Sequence, residues 1–405
     1  MLHVVLLWPT ISGMFLIMCA ATIRTGMGED AMASQPTTEV SLDLILRGIC
    51  ERLQISQTQH DLAEERYHAV GKWLDAEEVP RLLKTQVYAQ GSFRIGTTVK
   101  PVQRNEYDLD LVCEFNLQKD TIENPVILLN LIEARLRQNA LYADKLERKN
   151  RCIRIIYANE FHLDILPACP DPQTGPECVV VPDREAREWK ASNPKGYAAW
   201  FLSRDTRPSV FGLARVEPLP DQETVDEKGI LKRVVQLLKR WRDLRYCKDP
   251  DNAPISIVLT TLAAQHFVYQ NSEAAALTAV LDGVLASIPP FGRLVVRNPM
   301  NGKEDLSERW DDAAVYSAFV SGVRNLHTQW HALVQRKGIP NITAALEALF
   351  GEQPTRVVAE EIGQRIQRAR SSGVLGVQKQ TGTLTVATAP AATITPVRPH
   401  TFHGK

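Results

Sequence analysis

The chain has 405 residues, 44% of them apolar and 23% charged, with 47 Lys plus Arg against 47 Asp plus Glu. That length exceeds one ordinary hydrophobic core and predicts two domains. The zero formal charge argues against a long nonspecific nucleic-acid track, which needs a basic excess, yet it leaves room for small charged substrates held by local clusters. Seven scattered cysteines without CxxC or CxH spacing read as reduced thiols rather than as a disulfide framework or a zinc site.

Residues 1–34 form an apolar N-terminal extension. Leu2 to Thr22 is almost wholly apolar, interrupted by Pro9, and is just long enough to span a bilayer. It also resembles a signal-peptide core, although no Lys or Arg precedes it. A third reading starts translation at Met27 or Met32, which gives the extension no functional weight. This third reading is preferred, with an N-terminal membrane anchor as the alternative. Two helices follow, Ser41 to Leu53 and Ser56 to Glu78. The second places Leu62, Tyr67, Val70, Trp73 and Leu74 near helical spacing and ends at Pro80.

The most informative stretch is Val87 to Phe115, VYAQGSFRIGTTVKPVQRNEYDLDLVCEF. An apolar strand stops at Gly91-Ser92, and a short helical segment, Phe93 to Thr97, comes next. A second strand, Tyr107 to Phe115, carries Asp108 and Asp110 on one face, with Tyr107, Leu109 and Leu111 turned the other way into a core. Two carboxylates pointing together repel each other and become sensible around a divalent cation such as Mg²⁺. The glycine-serine corner offers a backbone N–H, a hydroxyl and a helix start, groups that suit a triphosphate. Pro125 to Gln138 reads as an amphipathic helix with Pro at its first turn.

Arg151 to Pro167 reads as a hairpin turning at Ala158-Asn159-Glu160. Its second strand sets Asp164 opposite Phe161, Leu163 and Ile165, where a carboxylate is costly unless paired or liganded. Three aspartates on adjacent strands can hold two metals. From Pro170 to Pro220 strand signals fade and Asn193-Pro194-Lys195-Gly196 reads as a turn, so the domain boundary is placed here. Helical signals take over after Val225. Lys228 to Tyr246 is a helix with a broad apolar face and with Lys232 and Lys239 in a narrow arc beside it. Asp249 to Pro254 is a turn before the helix ISIVLTTLAAQHF, which opens near Ser256. Asn298 to Trp310 reads as a loop serving as a lid on the second lobe. His266, His327 and His331 show no metal-ligand grouping and read as packing or surface residues. Ser371 to Lys405, rich in Ser, Thr, Gly, Ala and Pro, reads as a flexible tail closed by the aromatic island Pro399 to Lys405.

Gly91-Ser92, the Asp108-x-Asp110 pair and Asp164 resemble the signature of the polymerase-β-like nucleotidyltransferases. More narrowly, QGSFRIGTTVKP, EYDLDLV and FHLDILPA resemble bacterial relatives of cyclic GMP-AMP synthase and oligoadenylate synthase, the DncV-like CD-NTases of anti-phage CBASS systems. The resemblance runs from about Leu42 to about Arg370. It implies an α/β (α+β) enzyme of two lobes: a polymerase-β-like nucleotidyltransferase core sheet with N-terminal bracing helices over residues 35–175, and a mostly helical, oligoadenylate-synthase-like substrate lobe over 176–370. The long helix Ser56 to Glu78 would brace both lobes.

The implied activity condenses nucleoside triphosphates into a cyclic di- or trinucleotide second messenger and releases pyrophosphate. Asp108, Asp110 and Asp164 would hold two Mg²⁺, with Mn²⁺ as a substitute. Gly91 and Ser92 would grip the phosphates. The family's substrate-contacting lysine falls on Lys239, and its serine near the donor phosphates falls on Ser256. No extended nucleic acid is expected as a partner, and triphosphate substrates place the protein in the cytoplasm. Some relatives have the C-terminus joined to targets by an accompanying ubiquitin-transfer-like enzyme; the final Lys405, where a small residue is expected, departs from that pattern. The alternative is a template-independent transferase acting on RNA, tRNA or a protein acceptor with the same three aspartates.

Overall fold

A computed structural model describes residues 38–39, 42–76, 85–102, 107–158, 161–204, 216–336, 338–379, 384–386 and 394–397. These all lie in one unit that begins at Thr38. The apolar stretch Leu2–Thr22, the break at Pro80, the hairpin tip Asn159-Glu160 and the island Pro399–Lys405 lie outside them. Among the described residues no helix is long and apolar enough to cross a membrane.

After the short strand β1 (Thr38–Glu39) come helices α1 (Leu42–Leu53) and α2 (Gln57–Leu74). A capping box starts α2: Gln59 N–H donates to Ser56 Oγ, and Ser56 N–H donates to the Gln59 side chain, which satisfies backbone donors at the helix start. The bracing expected of one long helix is divided between the two. Ile45, Leu46 and Ile49 of α1 join a helical core, while Ala63, Tyr67 and Val70 of α2 pack on the sheet.

The sheet follows: β2 (Thr85–Gln90), the four-residue helix α3 (Gly91–Arg94), β3 (Tyr107–Phe115), helix α4 (Val126–Arg137), β4 (Leu146–Arg148), β5 (Ile153–Tyr157) and β6 (Phe161–Pro170). The strand order is β2-β3-β6-β5-β4. β3 and β6 run parallel, so the chain between them must cross over, and α4 is part of that crossover. Tyr107, Leu109 and Leu111 of β3 and Phe161, Leu163 and Ile165 of β6 all enter the core beneath α2 and α4. The opposite face turns apolar further along the strands, at Val112 and Ala168.

Two further strands, β7 (Val179–Asp183) and β8 (Glu188–Ser192), extend this system from β6. They correct the reading that strand signals fade after Pro170. Val179, Val180 and Val181 form a short continuous apolar run with no alternation to betray it, a pattern shared by buried strands and buried helix segments. Asn193-Pro194-Lys195-Gly196 is likewise a helix start, not a turn. Pro194 opens α5 (Pro194–Arg204), and Asn193 Oδ1 accepts from Gly196 N–H at 2.8 Å, as an N-cap with Pro at N1 should.

The helical lobe comprises α6 (Ile230–Arg245), α7 (Ser256–His266), α8 (Glu273–Ser287), a ribbon of β9 (Arg297–Asn298) and β10 (Asn301–Asp305), then α9 (Ala313–Val334), α10 (Ile339–Phe350) and α11 (Glu352–Ser371). One cluster of buried side chains joins these helices with α1 and α5. The segment expected as a lid is this anchored ribbon. Glu304 accepts from Asn298 Nδ2 at 2.7 Å, Ser192 Oγ at 3.1 Å and Asn193 N–H at 3.1 Å, which ties it to the end of β8.

Beyond Ser371 the expected tail contributes β11 (Leu375–Gln378), β12 (Leu384–Val386) and β13 (Ile394–Pro396). With β1 they make a four-stranded sheet ordered β1-β12-β11-β13. Thr and Val at alternate places favour pairing once a partner strand is supplied, and composition alone does not reveal that partner. Cys50, Cys113, Cys152, Cys169, Cys178 and Cys247 are free thiols.

Candidate active site

One rung of hydrogen-bonded strands carries the site. Gln90 on β2 pairs with Asp110 on β3, Asp110 with Asp164 on β6, and Asp164 with Arg154 on β5. Asp108 pairs with His162 one step away on the same face. Alternation along each strand sends these side chains out of the sheet together while their neighbours fill the core. The three expected aspartates therefore converge.

A cation already stands among them. Arg154 Nε and Nη2 each donate to Asp164 at 2.7 Å, and Nη2 also donates to Asp108 Oδ1 at 3.1 Å. His162 Nδ1 lies 3.3 Å from the same Asp108 oxygen. The sequence reading missed Arg154 and His162. Counting outward from the hairpin turn pairs position 154 with 164, so the first was legible; His162 needed the parallel register of β3 with β6.

Asp110 differs from its neighbours. Burial, reinforced by the charges of Asp164 and Asp108, pushes its carboxyl up to about 7, and the same burial raises Asp108 against the pull of Arg154. Among the described residues no hydrogen bond reaches the Asp110 carboxylate. A half-buried carboxylate raised in this way would be relieved by a hard cation. The donor set, three carboxylates converging where a guanidinium is accommodated, fits divalent metal ions.

Gly91 and Ser92 sit beside this cluster at the end of β2. Gly91 has φ +63, and a Cβ built there would collide with the Asp110 carboxylate. Both the backbone conformation and the close approach require glycine. Ser92 Oγ accepts from Thr98 Oγ1 at 3.3 Å, and Ser92 O accepts from Thr97 N–H at 2.9 Å. Since α3 has only four residues, its backbone N–H groups and hydroxyl matter more than any helix dipole.

Lys239 reaches the site from below. Its Nζ donates to Thr97 O at 3.1 Å and Thr97 Oγ1 at 3.0 Å. Burial lowers its pKa to about 7, countered by Asp243 and Asp110. Two further donors from the same region hold the adjoining carbonyls: Lys228 Nζ to Gly96 O at 2.8 Å and Gln236 Nε2 to Thr98 O at 2.9 Å. Lys232 instead pairs with Glu223, at 2.8 Å to both oxygens. Ser256 is the first residue of α7, where Ile255 is the N-cap, so it does no capping. Its Oγ accepts from Arg242 Nη1 at 2.6 Å. The sequence reading placed Ser256 at the start of this helix and did not foresee Arg242 as its partner.

His327 and His331, expected as packing or surface residues without metal-ligand grouping, both meet Asp282. His266 packs its ring against Gly283, and burial lowers its pKa.

Comparison with known proteins decides the family. Residues 41–204 match the Second Messenger Oligonucleotide or Dinucleotide Synthetase domain, SMODS. A c-di-GMP synthase of Roseivirga ehrenbergii is 32% identical over 381 residues, covering 90% of this chain and 98% of that protein. The chain belongs to the CD-NTases. It is a nucleotidyltransferase that makes cyclic oligonucleotides from nucleoside triphosphates, of the kind found in CBASS defence, and divalent metal use goes with that family. The cyclic dinucleotide synthase CdnG of Bradyrhizobium diazoefficiens is 28% identical over 383 residues, covering 86% of this chain and 90% of that protein. A structure of that CD-NTase with GTP superposes with a TM-score of 0.66 at 23% identity, over 80% of this chain and 99% of the other. The CD-NTase fold is thus polymerase-β-like, as the motifs implied.

Proposed function

We propose that this CD-NTase joins two molecules of GTP into a cyclic dinucleotide of the c-di-GMP class at the Asp108, Asp110 and Asp164 cluster. The observation that carries the site is the rung Gln90–Asp110–Asp164–Arg154, which gathers the carboxylates beside Gly91 around a guanidinium. The product class rests on the R. ehrenbergii relative, named a c-di-GMP synthase and alike over 90% of this chain. The GTP in the CdnG structure supports guanosine as the nucleoside.

Asp108, Asp110 and Asp164 would hold two Mg²⁺, with Mn²⁺ able to replace them. Bound there, the ions supply neutralisation of the triphosphate and activation of the attacking ribose hydroxyl. The chain's own residues do the positioning. Gly91, lacking a side chain, lets the β- and γ-phosphates approach the backbone, and Ser92 adds a hydroxyl. Lys239 serves the nucleotide indirectly: by gripping Thr97 it fixes the loop that follows the glycine-serine corner. Ser256, paired with Arg242, is the second lobe's contribution near the donor phosphates. Arg154 is a positioning residue that keeps Asp164 and Asp108 convergent against their mutual repulsion. In-line alignment of the hydroxyl with the α-phosphate, rather than covalent help from the protein, carries the reaction. The cytoplasm supplies the triphosphates.

The test incubates purified protein with labelled GTP and Mg²⁺ and resolves phosphatase-resistant products. A cyclic dinucleotide is expected, together with loss of pyrophosphate release in the folded Asp108→Ala/Asp110→Ala variant. Dependence on an RNA, tRNA or protein acceptor, or full activity in that variant, would overturn the reading. Arg154→Met should raise the Mg²⁺ concentration needed for half-maximal rate more than it lowers the rate at saturating Mg²⁺.

A further inference from the structure

Two imidazoles one helical turn apart share a single carboxylate oxygen on the neighbouring helix. His327 and His331 stand four residues apart on α9, the spacing that sets both rings on one helix face. Their ring centroids are 4.2 Å apart. Asp282 on α8 places Oδ1 2.8 Å from His327 Nε2 and 2.9 Å from His331 Nε2. The three ligand atoms lie within 4.8 Å of one another. The helices beneath are locked: Trp330, fully buried on α9, donates its Nε1–H to Thr278 Oγ1 of α8 at 2.8 Å.

We infer that Asp282, His327 and His331 form a surface site for a transition-metal dication of the Zn²⁺ class, separate from the aspartate cluster on the sheet. Two imidazole nitrogens and one carboxylate oxygen make a donor set that suits Zn²⁺. Mg²⁺ favours oxygen ligands in octahedral array and is a poor match. Metal–ligand bonds of about 2.0–2.2 Å in tetrahedral array separate ligand atoms by about 3.4 Å. The Asp282 oxygen must therefore withdraw from each nitrogen by roughly half an ångström. Its side chain is 50% exposed and can make that movement by rotation, without disturbing the helices. His331 is also partly exposed, at 40%, so the fourth position opens to water. Bound there, the ion bridges α8 to α9 on the outside of a seam that Trp330 closes on the inside.

The experiment uses the full chain without a histidine tag, stripped with chelator and held in excess Mg²⁺ so that the aspartate cluster is occupied. Calorimetric titration with Zn²⁺ should show one more equivalent bound by the native protein than by His327→Ala/His331→Ala. Co²⁺ should give the visible absorption of tetrahedral coordination in the native protein only. Asp282→Asn, an exposed and shape-preserving change, should weaken Zn²⁺ binding in the same way and covers the case in which the double variant fails to fold. Equal Zn²⁺ stoichiometry and affinity in native protein and variants would mean a hydrogen-bonded trio and nothing more, and would overturn the inference.

Discussion

Asp110 concentrates the electrostatic cost of the site in one side chain. Its folded carboxyl lies at about 7 against an ordinary value of 3.8, so between those values the folded chain holds a proton that the unfolded chain has released. Stability from this group is present at low pH and lost as pH rises through about 7. Asp110→Asn, which cannot ionise, should therefore be more stable than the native protein above neutral pH in chelator, by on the order of 2–4 kcal/mol, and melt higher. The two melting curves should converge near pH 4. Thermal melts across that range check it, and an unchanged difference at all pH values would exclude titration of Asp110 as the cause. Gly91 sits at the other extreme, where absence of a side chain is the requirement. Gly91→Ala forces a left-handed residue costing about 1–2 kcal/mol and drives a methyl into the Asp110 carboxylate. Pyrophosphate release should fall far more than the melting temperature does.

At the scale of elements, the corner that carries Gly91 is held from two sides. Arg94, the last residue of α3, is buried and donates to Glu217 at 3.0 Å and to Ala89 O at 3.1 Å. Removing one partner of a buried ion pair strands the other charge, so Glu217→Leu should cost about 3–5 kcal/mol in denaturant titrations. From the helical lobe, Lys228, Gln236 and Lys239 reach successive carbonyls at Gly96, Thr98 and Thr97. Gln236→Leu leaves the Thr98 carbonyl without this donor and should cost about 1–3 kcal/mol. Its kinetic signature should be a raised KM for the triphosphate with a smaller change in kcat, since the loop is loosened while the aspartates stay in place. Equal loss in both would place Gln236 closer to the chemistry than this geometry does. Lys239 was visible in the sequence of α6, in an arc with Lys232, which pairs with Glu223 instead. The target of Lys239 was not, because a stripe of donors looks the same whether it faces phosphates or the underside of a loop.

At the scale of the molecule, separate apolar clusters lie under the sheet and among the helices. Neither includes a residue beyond Ile366. The strands β11 to β13 form a small sheet of their own with β1, with Leu375 buried and β11 next to α11. A chain ending at Ser371 should keep nucleotidyltransferase activity and lose only the burial of side chains such as Leu375, about 1–3 kcal/mol. Loss of all activity in a folded truncation would show that the terminal sheet supports the site.

Local alternation was enough to set the faces of β3 and β6, and with them Asp108, Asp110 and Asp164, because a period of two is written directly into residue order. The helix start at Ser56, the glycine-serine corner and the helical stripe of α6 were legible for the same reason: each depends on neighbours a few residues apart. His162 beside Asp108, the grip of α6 on the loop at Thr97, the anchored ribbon at Glu304 and the meeting of Asp282 with two histidines depended on register between strands and packing between helices. Those are contacts over long stretches of chain, and their free energy is gained only when both partners are already held in place.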